Sequence, residues 1–541
     1  MKKWLLSAVM AVGMNLSLGL VASAKTEATP LNVLLLTVDD MNCDSVGAFG
    51  CKVPGTTPNL DKLADESMRF MHAHTHASSC TPSRNVIMTS RYLYNSGVEG
   101  FYGVPSDIIN NPTLPEWFKA NGYISIIRGK ESHTTPYYPF KGWDINFREE
   151  QRLKGNARHP DTFYSATREG IEAAAKAGKP FFYNVNIYDP HLVLYNWHPK
   201  KGVGLNRRDI DNHPSRIYKP DEIVVPGFLP DTPKVRQEVA AYYSTVRRAD
   251  DSIGQVIKAL HDTGVYENTV IIFLSDHGMP FPFVKTAMYY QSTHTPLIIR
   301  WPGVTKAGAV DDRHVLGAVD LFPSLADGLG AELPKGIDGS SFYELLSGGN
   351  QDGREFVYTM YEENIGGNRQ PTRSVISKEY GYILNLWSDG EREFATATKG
   401  MASTHEIQRL ADAGDDNMKQ RLDMFIHRVP EEFYDYKNDP DALHNLIDDP
   451  KHQKRIAEFR SEAVRLMKAS NDPLLAIYPH RHDKEKVAAY LSKLDAESKA
   501  RKADIRYSRH PEKWGKKKRS KSTKLSAEER RKRRAEKKAD K

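Results

Sequence analysis

Cysteine is scarce, three in 541 residues, which excludes a scaffold built on disulfides. Long apolar runs are scarcer. One spans Trp4 to about Val21, and no later run is long enough to cross a membrane as a helix. The body of the chain also lacks net positive charge, although the formal total is +7: residues 511–541 carry fifteen Lys or Arg against five Asp or Glu, which leaves the other 510 residues at −3. A nucleic-acid partner is therefore not expected. With 39% hydrophobic and 27% charged residues the composition is globular. That excludes a fibrous or wholly disordered chain, and the length supplies at least one large core.

What is present begins at the N-terminus. Lys2-Lys3, the apolar run and Ala22-Ser23-Ala24 form a charged segment, a hydrophobic segment and a small-residue cleavage site. Residues 1–24 are expected to be a signal peptide, with export to the periplasm or the medium and no transmembrane segment after cleavage. In an oxidising compartment Cys43 and Cys51 either pair, if their geometry permits, or remain as two buried thiols. Both readings leave Cys80 over, and a leftover cysteine in an exported chain calls for a chemical reason.

Short apolar, β-branched runs read as buried strands at Leu31 to Val38, Tyr123 to Arg128, Phe181 to Ile187, Thr269 to Leu274 and Leu297 to Trp301. Helical patterns lie between them; the clearest opens at Thr232-Pro233 and keeps Val235, Val239, Tyr242, Val246, Ala249, Ile253, Val256 and Leu260 on one stripe. This alternation predicts an α/β domain with a largely parallel sheet. The first four runs end at Asp39-Asp40, at Lys130 and His133, at Asp189 and His191, and at Asp276-His277. Ligands in such sheets bind beyond the carboxyl ends of the strands, so these groups are expected to converge. After Gly348-Gly349-Asn350 the pattern changes to short strands (Glu355 to Tyr361, Thr372 to Ser377, Tyr380 to Leu386), Glu432 to Tyr436 and a helix from about His452 to Ala469. The expected organisation is a large α/β domain over 25–347, a smaller C-terminal α+β domain over 348–482, and a helical, basic low-complexity tail over 483–541. His72, His74 and His76 alternate as strand residues do and are read as scaffold.

Cys80-Thr81-Pro82-Ser83-Arg84 then opens a helical run. It resembles the C-x-P-S-R signature of the sulfatase family, whose cysteine a maturase oxidises to formylglycine in the nascent chain. Asp39-Asp40 and Thr57-Pro58-Asn59-Leu60-Asp61 before it, and Ser275-Asp276-His277-Gly278 and Pro296 to Gly303 after it, stand in the same order as in that family. The resemblance implies an alkaline-phosphatase-like large mixed sheet flanked by helices. It also implies a hydrated aldehyde at residue 80, in which one hydroxyl attacks sulfur and the other later expels sulfate. Asp39, Asp40 and Asp276, together with residue 80, would hold Ca²⁺ or, alternatively, Mg²⁺, since carboxylates are hard ligands. His277 occupies the fourth protein position and either touches the cation or orients the hydrate. Arg84 would hold residue 80, Lys130 and Lys285 would bind sulfate oxygens, and His133 and His191 would flank the scissile bond, His191 as proton donor. The family spacing Gly-Lys-x-His is one residue longer here, Gly129-Lys130-Glu131-Ser132-His133.

The short, proline-bearing segment Asp276 to Lys285, with Tyr188-Asp189-Pro190-His191, Thr372-Arg373-Ser374-Val375 and Glu432-Phe433-Tyr434-Asp435, resembles the heparan N-sulfatase branch. The resemblance implies a sulfated glycosaminoglycan or oligosaccharide as substrate, hydrolysis of the N-sulfate of glucosamine, and Arg373 near the substrate. Two alternatives stay open: an O-sulfatase of another sulfated polysaccharide, and an inactive relative that binds sulfoglycans.

Overall fold

A computed structural model describes residues 30–509 apart from 102–103, 106–110, 139, 148–156, 199–200, 205–208 and 365–367. The segment expected to be a signal peptide and the basic segment after 510 lie outside the described residues.

The apolar runs become strands because each is covered on both faces. In β1 (Asn32–Asp39) Leu34, Leu36 and Val38 enter one hydrophobic cluster and Val33 and Leu35 the other. The further strands of the same sheet are β2 (Met68–His74), β3 (Ile124–Arg128), β4 (Ile145–Phe147), β5 (Phe181–Pro190), β6 (Thr269–Ser275), β7 (Leu297–Arg300) and β8 (Val310–Gly317). Their spatial order is β8-β2-β7-β6-β1-β5-β3-β4. β6, β1, β5 and β3 run parallel, whereas β7 is antiparallel to both its neighbours, so the eight-stranded sheet is mixed.

Helices α1 (Pro58–Asp65), α2 (Cys80–Thr89), α3 (Pro160–Lys176) and α4 (Pro233–Asp262) belong to this part of the chain. α4 starts where its sequence predicts: Thr232 Oγ1 accepts from Val235 N (3.3 Å) and Pro233 occupies the first turn, where its missing N–H costs nothing. Its stripe from Val235 to Leu260 is buried in the same cluster as Leu34, Leu36 and Val38.

The second sheet is antiparallel, in the order β9 (Val357–Glu363), β10 (Arg369–Ile376), β11 (Tyr380–Asn385), β12 (Glu431–Asp435). α5 (Gln453–Ala469) lays Ile456, Phe459, Ala463 and Met467 against Met360, Val375, Tyr382 and Phe433. The chain from Asp483, helical in propensity but poor in core residues, forms α6 (Lys484–Arg509). It buries Val487 and Leu491, packs Tyr490 and Leu494 partly against the same core, and adds polar contacts from Ser498 and Arg501. Among the described residues no helix is long and apolar enough to cross a membrane.

Candidate active site

Because β6, β1, β5 and β3 are parallel neighbours, their carboxyl ends lie side by side, and the four polar endings meet there. Asp39 closes β1, and Asp40 follows at φ 66°, a left-handed conformation that a non-glycine residue adopts at a cost. Lys130, after β3, has φ 50°. Phe283 and Thr286, on either side of Lys285, have φ 66° and 65°. Four of the nine non-glycine residues with positive φ among the described residues thus carry or flank the charges that meet at one spot.

Cys80 is the first residue of α2, 1% exposed, with its Sγ 3.5 Å from Asp39 Oδ1 and 3.5 Å from His277 Nε2. A helix start presents backbone N–H groups and the positive end of the dipole, which favours an anion. Lys130 Nζ stands 2.6 Å from Asp39 Oδ2, and Lys285 Nζ is 2.7 Å from both oxygens of Asp40. Arg84, one turn along α2, donates through Nε to Asp276 Oδ2 (2.9 Å), through NH1 to Thr37 Oγ1 (2.8 Å) and Asn186 Oδ1 (2.5 Å), and through NH2 to Asp39 Oδ2 (3.2 Å). Its fork therefore fixes two carboxylates, and it reaches the Cys80 side chain by charge rather than by a hydrogen bond.

Two imidazoles complete the group. His191 Nδ1 donates to Leu192 O (2.7 Å) and His277 Nδ1 to Gly278 O (2.9 Å), so each ring turns Nε2 toward the cluster. His277 Nε2 lies 3.2 Å from Asp40 Oδ1. The His133 carbonyl accepts from Asn85 Nδ2 of α2 (2.9 Å), which ties the residue to the helix that Cys80 opens.

The electrostatics follow from burial and these neighbours. Burial and Asp39 both push the Cys80 thiol up, but Lys285, His133 and His191 outweigh them and hold it well below the usual thiol range. Burial also opposes ionisation of Asp39, yet Lys130, His191, Arg84 and Lys285 together hold its carboxyl well below normal. Asp276 is pushed up to about 6 by burial against the pull of Arg84. His277, despite burial, is raised to about 10 by Asp276 and Asp40. Asp39, Cys80, Asp276 and His277, and Asp39, Asp40, Cys80 and His191, form two overlapping groups whose donor atoms lie within 4.8 Å of one another. Three wholly buried carboxylates beside one another are a hard-oxygen donor set, which fits Ca²⁺ or Mg²⁺.

Arg373 stands apart from this cluster. It lies in β10, 2% exposed, and its guanidinium meets Asp472 (Nε to Oδ2, 2.5 Å), Glu362 Oε1 (2.5 Å) and its neighbour's carbonyl. Asp189, though at a strand end, is held by Arg158 (2.6 Å) and Arg248 (2.6 Å) and supports His191 from behind, since Arg158 NH1 also donates to the His191 carbonyl (2.9 Å). Sequence reading missed Asn186, whose Oδ1 accepts from Arg84 and Thr37 and whose Nδ2 donates to Gly129 O (3.0 Å). An asparagine inside an apolar strand run was its one signal. His72, His74 and His76 bond separately, to Tyr290 and Asp312, to Thr293, and to the Tyr358 carbonyl. The three cysteines are unpaired.

A family model described as Sulfatase matches residues 31–331, more than half of the chain, and one described as N-sulphoglucosamine sulphohydrolase, C-terminal, matches residues 276–395. Human N-sulphoglucosamine sulphohydrolase is 29% identical over 482 residues, covering 82% of this chain and 91% of its own. An ulvan-active sulfatase of Formosa agariphila is 26% identical over 473 residues, covering 82% and 75%. Among solved structures, a protein in complex with its substrate D-glucosamine-2-N,6-O-disulfate superposes with a TM-score of 0.60 at 18% identity, covering 82% of this chain and 99% of its own. The phosphonate monoester hydrolase of Agrobacterium radiobacter superposes at 0.59 and 19%, covering 81% and 96%.

Proposed function

The chain belongs to the sulfatase family, and from that premise we propose that it hydrolyses the N-sulfate of glucosamine in heparan sulfate or heparin fragments and releases inorganic sulfate. The observation that carries the hydrolase reading is Cys80 at the start of α2, enclosed by Asp39, Asp40, Asp276, Lys130, Lys285 and two imidazoles with Nε2 turned inward. The choice of glucosamine N-sulfate rests on likeness to the human N-sulphoglucosamine sulphohydrolase along 91% of its length and on the matching C-terminal family model.

Asp39, Asp40 and Asp276 would hold Ca²⁺ or Mg²⁺ together with residue 80, with His277 beside them; a bound cation supplies charge that acidifies an oxygen nucleophile. Formylglycine at residue 80, made by a maturase, supplies a geminal diol. The rest falls to side chains. Lys130, paired with Asp39, and Lys285, paired with Asp40, each bridge a carboxylate to a sulfate oxygen and so fix the sulfuryl group. Arg84 keeps Asp39 and Asp276 in register. His191, with Nδ1 committed to a carbonyl, gives the proton on Nε2 to the departing nitrogen.

Incubation with N-sulfoglucosamine tests the reading: release of sulfate is expected, together with a loss of about 18 Da on the peptide spanning Cys80 in protein from a host that carries the maturase. A protein with that mass change and bound cation that spares N-sulfoglucosamine but cleaves an O-sulfated sugar overturns the N-sulfate assignment. It would favour the O-sulfatase reading that the ulvan-active relatives support.

A further inference from the structure

A second buried network of charge joins α6 to a stretch of chain that leads to His133. Glu99 accepts from Arg369 through NH1 (2.5 Å) and NH2 (3.1 Å) and also pairs with Arg501 of α6. The other terminal nitrogen of Arg501 lies 3.0 Å from Glu363 Oε2, which also accepts from Ser498 Oγ (2.6 Å). Asp495, one turn before Ser498, accepts from the backbone N–H of Arg369 (3.2 Å). Three side chains of α6, spaced three residues apart along the helix, thus grip β9 and β10.

Gly100 rests directly on that grip. A Cβ there would lie 2.5 Å from Glu363 Oε1 and 2.6 Å from its Cγ, so the backbone passes against the Glu363 carboxylate as closely as glycine permits. Phe101 follows and presents its ring edge-on to His133, with centroids 5.9 Å apart and planes at 85°. His133 in turn is tied to the helix that Cys80 opens, its carbonyl accepting from Asn85 Nδ2 of α2 (2.9 Å). Arginine forks bound to carboxylates in two directions fix position as well as charge. Burying such a network carries a desolvation cost that its attraction does little more than offset, so its return is geometric.

We propose that α6 is a positioning strap of the active site: Arg501 and Ser498 fix Glu363 and Glu99, these fix residues 99–101, and Phe101 holds the His133 imidazole at its aim beside residue 80. Arg369, Arg501 and Phe101 are positioning residues and touch no substrate. The inference rests on the reading of Cys80 as the reacting centre, but part of its test does not.

Full-length Arg501→Ala, Arg501→Lys and Phe101→Leu proteins are compared with wild type by hydrogen exchange and by turnover of N-sulfoglucosamine. In Arg501→Ala, exchange rises in peptides covering residues 97–101 and 130–134 and stays unchanged over β6. Arg501→Ala and Phe101→Leu lower kcat about 10- to 100-fold while KM changes less than about threefold, and Arg501→Lys, which keeps the charge but loses the fork, recovers only part of the loss. Phe101→Leu leaves α6 and its ion pairs intact, so it separates aiming from folding. Wild-type exchange at 130–134 in Arg501→Ala, or wild-type kcat in Phe101→Leu, overturns the strap. If wild type turns over no sulfated sugar, the proposed function fails by itself, and the exchange of residues 130–134 still decides the positioning role.

Discussion

At the carboxyl end of β1 the protein sets Lys130 and Lys285 on Asp39 and Asp40; at β9 and β10 it sets Arg369 and Arg373 on Glu99, Glu362 and Asp472. Both regions bury opposite charges, but they use different cations. A lysine ammonium is a point charge on a flexible stem and can share itself with an arriving sulfate oxygen, whereas an arginine fork bound on two sides is committed. The backbone differs in the same sense. Asp40, Lys130, Phe283 and Thr286 have positive φ, and no residue of β9 or β10 does. Strain and exchangeable cations mark the region prepared for chemistry, while relaxed strands and matched forks mark the one that holds shape. Arg84 shows that residue type tracks role within the first region too, since it is the one cation there whose donors are fully spent on protein.

Replacing Cys80 by alanine is the sharpest way to separate the two. Sulfate release is expected to fall by about 10⁴-fold or more, with the melting temperature close to wild type, as read by single-turnover assays and calorimetry. Lys285→Ala is expected to lower kcat/KM by about 10²- to 10³-fold while the protein still folds, because Arg84 and His277 continue to offset the carboxylates. Arg373→Ala should do the reverse: it strands Asp472 and Glu362 in the interior and destabilises the fold by about 3–5 kcal/mol, while the fraction that remains folded turns over normally. If denaturant titration shows Arg373→Ala as stable as wild type but inactive, the contrast between the regions is broken.

The smallest effect concerns pH. Burial lowers His294 to about 4, helped by neighbouring His72, and its Nε2 faces the Met71 carbonyl (2.8 Å). Below about 6.5 the unfolded chain takes up a proton that the folded one refuses, so this contribution to stability is present above 6.5 and is lost as pH falls toward 4. Between pH 7 and pH 5 it amounts to about 2 kcal/mol. Urea titration at both pH values should show that drop in wild type and a smaller one in His294→Gln. An equal drop in both proteins would move the acid sensitivity elsewhere.

Most of what carries the candidate site is local and could be read from the chain. Strands covered on both faces appear as short β-branched runs, and the polar pairs that end them needed only parallel pairing to meet. The α4 start was legible because its capping residues are adjacent in sequence. Arg373 was not, since alternation in a strand does not reveal which partner waits across the core, and Asp472 lies 99 residues away. α6 was missed as an attached element for a similar reason: Val487 and Leu491 are too few to stripe a helix, and hydrogen bonds at Asp495 and Ser498 and the ion pairs of Arg501 add attachment that no local pattern shows. Two helices, Ala402–Asp412 and Asp416–Ile426, and the short or broken strands β4 and β8 lacked a run long enough to stand out.

Cys80 is 1% exposed and every residue of α2 is buried. A second protein therefore has no access to that thiol once the chain has closed over it. If residue 80 is to be oxidised, the maturase must win a race against folding, and the fraction of active molecules in any preparation records how long the nascent segment stayed open. Slowing synthesis or lowering temperature in a host that makes the maturase should raise that fraction, whereas adding the maturase to finished, folded protein should leave it where it was.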